Sequence, residues 1–436
     1  MDAFVIEGGT PLRGTLRVNG SKNAALPLMA ATLLTDEPLT LRGVPRLADI
    51  ANMRRLLNEL GCDESHEDDG ALRLHTVDES GSHARYDIVR TMRASICVLG
   101  PMLARRGSAR VSMPGGCAIG ERPVDLHLRG MEALGARVTL TSGDILVEAP
   151  GGRLRGGHVF LGGAFGPTVL GTANVMSAAT LARGTTVIES AACEPEIVDV
   201  ARLLTSMGAR IEGAGTPRIT VHGVETLHGA DHEVLADRIE AGTYLIAAGI
   251  TDGELELTNC PIDALLALQD HLTRAGVHVE VVDASDPLRA TVRASRRNGL
   301  TPITITTHPH PGFPTDLQAQ MMALLTLAEG NSVVTERIFP ERFLHVAELS
   351  RMGARLFRQG PTVVVSGVDG LVGAPVMASD LRASAGLVLA GMAAKGTTIV
   401  RRVYHLDRGY ERMERTLQGV GAKIQRVKED DLPMMG

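Results

Sequence analysis

The sequence predicts an α/β protein of two globular halves, each holding three copies of one unit with sheets outside and apolar helices inside. Three observations carry this. The chain has 436 residues, beyond the size at which a single core usually stops growing. A Gly-centred phrase recurs six times along it. Upstream of each phrase stands a helix-like stretch that is apolar on nearly every side.

The phrase reads ELGC at Gly61, LGARV at Gly135, MGARI at Gly208, AGVHV at Gly276, MGARL at Gly353 and VGAKI at Gly421, with successive spacings of 74, 73, 68, 77 and 68. Each copy predicts a helix that stops at a glycine, which tolerates the left-handed conformation past a helix end, and a strand that starts beyond it. The upstream stretches are SKNAALPLMAATLL, TMRASICVLGPMLARR, LGTANVMSAATLARG, DRIEAGTYLIAAGI, TDLQAQMMALLTLAEG and DLRASAGLVLAGMAAKG. A helix apolar all round belongs in an interior. Strands such as LTLRGV, TTVIES and TTIVRR follow, then a more amphipathic helix. The unit is helix, strand, helix, strand. An open solenoid is the alternative arrangement, but its repeats usually run to about 20–50 residues.

Composition narrows the function. Hydrophobic residues make up 44% and charged residues 22%, with a net charge of -6. That balance argues against general binding to nucleic acid or membrane surfaces, which are polyanionic. Aromatics are 3% with no Trp, too few for base-stacking platforms. The five cysteines, Cys62, Cys97, Cys117, Cys193 and Cys260, are widely spaced and include no CxxC pair, so neither zinc nor a disulfide framework is expected. His308 and His310 in HPH read as a solvated turn rather than a metal site. The first residues carry no basic-then-apolar leader, which predicts a cytoplasmic protein with no membrane span.

Polar residues gather where the buried helices start: Ser21, Lys22 and Asn23; Arg93; Asp237 and Arg238; Thr315 and Asp316; Asp380 and Arg382. Ser, Thr and Asp there are ordinary N-caps. Lys and Arg oppose the helix dipole, and their placement makes sense if an anion sits between them, with helix N–H groups turned to it. Arg122, Arg342 and Arg408 precede the glycine of their units by 13, 11 and 13 positions. The expectation is an anion-binding cleft between the two halves.

The segment Met113 to Asp125, MPGGCAIGERPVD, has no counterpart in the other units. Its glycines and prolines predict an exposed loop of the kind that carries binding residues. Arg122 lies close in sequence to Cys117, and a neighbouring cation favours the thiolate. The bland alternative, an inert buried cysteine, suits Cys97 in its apolar stretch better than Cys117 beside Gly115 and Gly116.

The motifs SKNAALP, TMRASI, PGGCAIGERPVDLH, EPEIVD, FPTDLQAQ, DLRAS and DRGYER together resemble the UDP-N-acetylglucosamine 1-carboxyvinyltransferase family of enolpyruvyl transferases. The resemblance runs over nearly the whole chain. It implies two inside-out α/β barrel domains, residues 22–235 and residues 1–21 with 236–436, with the active site in the cleft between them. It implies transfer of the enolpyruvyl group of phosphoenolpyruvate to the 3-hydroxyl of UDP-N-acetylglucosamine, the first committed step of peptidoglycan synthesis, without cofactor or metal. Lys22, Arg122 and Arg408 would hold the phosphate and carboxylate of phosphoenolpyruvate, with Asn23 and Arg93 completing that pocket. Arg122, Pro123, Val124, Asp125, Leu126 and Ile338 would meet the nucleotide, and Arg342 and Arg382 would line the same substrate site. Asp316 would contact the sugar hydroxyl and take its proton. Cys117 would protonate the methylene carbon and be the target of the epoxide fosfomycin.

The sequence departs from the family pattern in two places. The family commonly has a Lys before the third buried helix, where Gly166, Pro167, Thr168 and Val169 stand here. Glu121 takes the place of a small residue beside Arg122, either pairing with it or facing solvent. Two other functions stay open: the same chemistry on another hydroxylated acceptor, and a silent paralogue that only binds the UDP-sugar. The acidic run Asp63 to Asp69 is expected to be a solvated turn, and the tail KEDDLPMMG to be disordered.

Overall fold

The computed structural model describes residues 1–114 and 124–432. The chain forms two compact units, one of Met1–Asn19 with the chain from Ala236 onward, the other of the described residues from Gly20 to Leu235. Each unit carries three four-stranded sheets.

One strand order serves all six sheets. In the sheet of Thr304–Thr306, Asn331–Thr335, Thr362–Ser366 and Arg355–Gln359, the first pair is parallel and the other two are antiparallel. A parallel pair needs a crossover, and the helix Gln318–Leu325 provides it. The helix Leu344–Arg351 then leads to a hairpin that returns the chain to the third position. Distant segments complete three sheets. Asp231–Glu233 runs parallel to Leu39–Arg42, and Arg13–Arg17 runs parallel to Glu254–Cys260. Asp2–Glu7 lies between Thr397–Arg401 and Lys423–Lys428.

The six apolar stretches are interior, as their composition requires. The helix Arg238–Ile250 is buried at every residue, and the helix Leu381–Ala393 from Arg382 to Met392. Their small residues let backbones touch. A Cβ on Gly386 would stand 2.9 Å from the carbonyl oxygen of Ala319, and one on Gly100 would stand 2.2 Å from that of Asn174. Close packing at these crossings leaves no room for a methyl group.

Several local expectations are corrected. The second interior stretch is not one helix: Arg93–Val98 is a 3₁₀ segment and the α-helix starts at Leu99. Pro101 falls in the first turn of that helix, where its missing N–H is not needed. The acidic run is not all turn, since Cys62–His66 is a strand paired with Leu72–Thr76. Its charges face water along a sheet edge, where they discourage further pairing. Of the tail, Glu429–Asp431 forms a 3₁₀ turn after the strand Lys423–Lys428.

Candidate functional site

In the unit that contains Asp316, helix starts gather charge. Asp237 caps Arg238–Ile250 by accepting the Ile239 and Glu240 N–H groups. Asp380 caps Leu381–Ala393 by accepting those of Arg382 and Ala383. Thr315 and Asp316 lie in a 3₁₀ turn, Thr315–Leu317, rather than at an α-helix cap. That releases both side chains for other partners.

Asp316 is shared by two arginines. Arg342 Nη1 donates to Asp316 Oδ1 at 2.7 Å, and Arg382 Nη2 approaches Oδ2 at 3.5 Å. Arg342 also reaches the Thr315 hydroxyl at 3.1 Å and lies 5.8 Å from the Phe339 ring centre. The Arg382 side chain is 2% exposed and that of Asp316 is 27% exposed. Burial works against the charge of Arg382, but Tyr410 and Asp316 outweigh it and hold its pKa above the ordinary value. Its guanidinium stands 5.4 Å from the Tyr410 ring centre, a cation–π distance. One of its nitrogens, Nη1, is buried without a partner among the described residues.

Neighbouring polar groups steady this cluster. The Tyr410 hydroxyl lies 2.9 Å from Thr243 Oγ1. Gln320 Nε2 donates to Thr243 at 3.1 Å and to the Asp316 carbonyl at 3.0 Å. Glu336 is fully buried. It accepts from Thr307 at 2.7 Å, Thr315 at 2.8 Å, the Ile338 N–H at 2.8 Å and the Phe339 N–H at 3.0 Å. Four donors on one carboxylate fix both the turn holding Asp316 and the loop holding Ile338, which is half-buried. His345 is buried and pushed down to about 4 by that burial, with Arg342 adding to the effect and Asp380 opposing it. Arg408 ends the 3₁₀ segment Val403–Arg408 and is half-buried.

In the other unit Lys22 is the first residue of the helix Lys22–Ala30, whose cap is Ser21 accepting the Ala24 N–H. Lys22 Nζ meets Asp49 Oδ2 at 3.1 Å, with the two side chains 10% and 3% exposed. The cation expected to wait for an external anion thus already has a carboxylate. Asn23 and Arg93 are half-buried, Val124 is buried, Asp125 is exposed and Leu126 is half-buried. The stretch at Gly166 forms a small ribbon, Gly162–Gly163 paired with Gly166–Pro167, and Thr168 caps the helix Val169–Ala179.

Cys117, Glu121, Arg122 and Pro123 lie outside the described residues. The four cysteines that are described are all poor thiolate sources. Burial pushes Cys97 and Cys260 up to about 12, and raises Cys62 and Cys193. Among the described residues no group of three or more His, Cys, Asp or Glu could hold a metal ion, and no helix is long and apolar enough to cross a membrane.

Sequence reasoning missed Glu336, Asp49, Gln320 and Tyr410. Glu336 and Asp49 carried one available signal: a carboxylate just after a strand or just inside a helix start, one element away from a predicted cation. Gln320 lies four residues after Asp316 within FPTDLQAQ, whereas Tyr410, within DRGYER, joins the cluster only through the tertiary fold.

Comparison with known proteins places this geometry in context. Residues 6–417 match the family model of EPSP synthase (3-phosphoshikimate 1-carboxyvinyltransferase). A UDP-N-acetylglucosamine 1-carboxyvinyltransferase of Dinoroseobacter shibae is 57% identical over 433 residues, covering 98% of this chain and all of that one. The protein of the same name from Magnetococcus marinus is 50% identical, again over 98% of this chain and 100% of the relative. Among solved structures, the enolpyruvyl transferase NikO from Streptomyces tendae superposes with a TM-score of 0.86 at 25% identity, covering 98% of each chain. EPSP synthase from Acinetobacter baumannii shares the fold, with a TM-score of 0.76 at 16% identity over 98% of this chain and 100% of that one.

Proposed function

The chain belongs to the enolpyruvyl transferases of the EPSP synthase family and, within them, to the UDP-N-acetylglucosamine 1-carboxyvinyltransferases, and from that premise we propose that it transfers the enolpyruvyl group of phosphoenolpyruvate to the 3-hydroxyl of UDP-N-acetylglucosamine. Phosphate is released, and the product enters peptidoglycan synthesis in the cytoplasm. The observation that carries this reading is the Arg342–Asp316–Arg382 cluster. It holds a partly exposed carboxylate between two guanidinium groups at a helix start, placed to accept a proton from a hydroxyl group.

Binding, protonation and addition each have a residue. Lys22, Arg122 and Arg408 bind the phosphate and carboxylate of phosphoenolpyruvate through charge-assisted bonds, with Asn23 and Arg93 beside them. The Cys117 thiol gives a proton to the methylene carbon, leaving positive charge at C2. Asp316 removes the proton of the sugar 3-hydroxyl as its oxygen adds to C2. Loss of the added proton from the methyl group, with departure of phosphate, restores the double bond. Pro123, Val124, Asp125, Leu126 and Ile338 contact the nucleotide. In fold terms the reading takes each unit as an inside-out α/β barrel. Three buried helices and three outer sheets per unit support it.

The test is phosphate release from phosphoenolpyruvate, with and without UDP-N-acetylglucosamine, for the wild type and Cys117→Ser. Release that requires the UDP-sugar and falls about 10²-fold or more in the variant supports the substrate and the proton donor together. Release with another hydroxylated acceptor alone moves the reading to that acceptor. Tight UDP-sugar binding without any release moves it to a silent binding protein.

A further inference from the structure

The ribbon Gly162–Gly163 and Gly166–Pro167 leads into Thr168, whose hydroxyl accepts the Gly171 N–H at 3.2 Å. From Gly162 to Thr168 there is no charged side chain. The helix Asp125–Ala133 sets the ribbon's position. A Cβ on Gly163 would stand 3.1 Å from Leu126 Cδ1, so the ribbon rests on that helix's first turn. One turn later, Arg129 Nη2 donates to the Gly162 carbonyl at 3.0 Å, and the guanidinium lies 5.6 Å from the Phe160 ring centre. Phe160 in turn covers Gly162, where an added Cβ would meet the ring at 2.5 Å.

Arg129 is exposed. Its contacts among the described residues are that carbonyl and that ring. Asp125 and Glu132 lie one turn to either side on the same helix. A guanidinium has five N–H donors in a fixed plane, and one carbonyl occupies a single donor. The result is an oriented cation beside a ribbon that has none of its own.

We infer that Arg129 supplies the positive charge that this ribbon presents to the diphosphate of the sugar nucleotide. The inference rests on the proposed function, which brings a nucleotide to Val124–Leu126 at the start of the same helix. Phe160 and the Gly162 carbonyl hold the guanidinium in place, and its remaining donors turn to phosphate oxygens. The ribbon then needs only small residues, because the charge comes from the neighbouring helix.

The test compares wild type, Arg129→Ala and Arg129→Lys for the KM values of both substrates, and for competition by UDP and by uridine. One charge-assisted contact is worth about a 10- to 100-fold change. Arg129→Ala is expected to raise the KM for UDP-N-acetylglucosamine by about that factor and to weaken UDP competition equally, leaving uridine competition and the phosphoenolpyruvate KM within about twofold. Arg129→Lys keeps a charge and is expected to recover part of the preference for UDP over uridine. Equal weakening of UDP and uridine would overturn the inference, since Arg129 would then only hold the ribbon. So would a variant indistinguishable from wild type that still turns over the UDP-sugar. A wild type that neither turns over the UDP-sugar nor binds UDP would remove the proposed function itself, and this inference with it.

Discussion

Lys22 and Arg382 are the first and second residues of buried helices in different units, and each meets a carboxylate. Lys22 has Asp49, and the two side chains are 10% and 3% exposed. Arg382 shares Asp316 with Arg342, and Asp316 stays 27% exposed. Both arrangements offset the unfavourable dipole of a helix N-terminus. Only the second leaves an oxygen-bearing group that a substrate can reach. Cations in the first turn of these helices thus meet carboxylates that differ in exposure rather than in charge: Asp49 is 3% exposed and Asp316 27%.

The largest expected effect breaks that division at Asp316. Asp316→Asn keeps the shape and removes the charge. Under the proposed function turnover falls by about 10²–10⁴, the range for loss of a positioned base, and stability falls as well, because Arg342 and Arg382 stay buried without the charge they share. Steady-state phosphate release and denaturant melts on the same preparation check both halves. A fall below about tenfold would make Asp316 a counter-ion like Asp49.

The next effect is in stability. Asp49→Ala leaves the Lys22 ammonium buried without its carboxylate. Breaking one partner of a buried pair costs about 3–5 kcal/mol, so the urea midpoint should drop clearly. An Asp49→Ala protein as stable as wild type, with phosphoenolpyruvate binding lost, would reverse the comparison and make Asp49 the group that tunes Lys22 for its ligand.

Much of this was legible in the sequence. The six Gly phrases mark where helices end, and apolar stretches such as Arg238–Ile250 are buried as their composition requires. Binding chemistry was legible where a residue type opposes its local setting, as with Lys22 or Arg382 at a helix start. What stayed hidden depends on tertiary neighbours. Asp49 looks like any helix-start carboxylate until Lys22 is placed beside it. Glu336 gathers donors from Thr307, Thr315, Ile338 and Phe339, a set that only the sheet register brings together. The split of the second interior stretch at Leu99 was readable from Pro101, but the apolar run around it masks the signal.

Glu240 sharpens the comparison from a third side, as a carboxylate in the first turn of a buried helix whose partners are all neutral. It accepts the Asn19 N–H at 2.7 Å and the Asn19 side-chain amide at 3.0 Å, with the Tyr244 hydroxyl at 3.5 Å. Burial, with Asp237 adding to it, pushes its pKa up to about 7 from an ordinary 4.5. The folded protein therefore keeps the Glu240 proton at pH values where the unfolded chain has released it. Fewer protons on the unfolded state mean that stability falls as pH rises through this window. The contribution is fully present below pH 4.5 and is lost by about pH 7. A shift of that size corresponds to about 3 kcal/mol. Glu240→Gln mimics the protonated form at every pH, so its stability relative to wild type should rise from near zero at pH 4.5 to about 3 kcal/mol above pH 7. His345, held down to about 4, has the opposite dependence: stability is lost as pH falls from 6.5 toward 4. It is common to both proteins and cancels in the difference. A flat difference across pH 4.5 to 7.5 would mean that Glu240 is ionised in the fold. Burial without a cation would then leave Glu240 a carboxylate, and exposure and pairing would not be what separates one helix-start carboxylate from another.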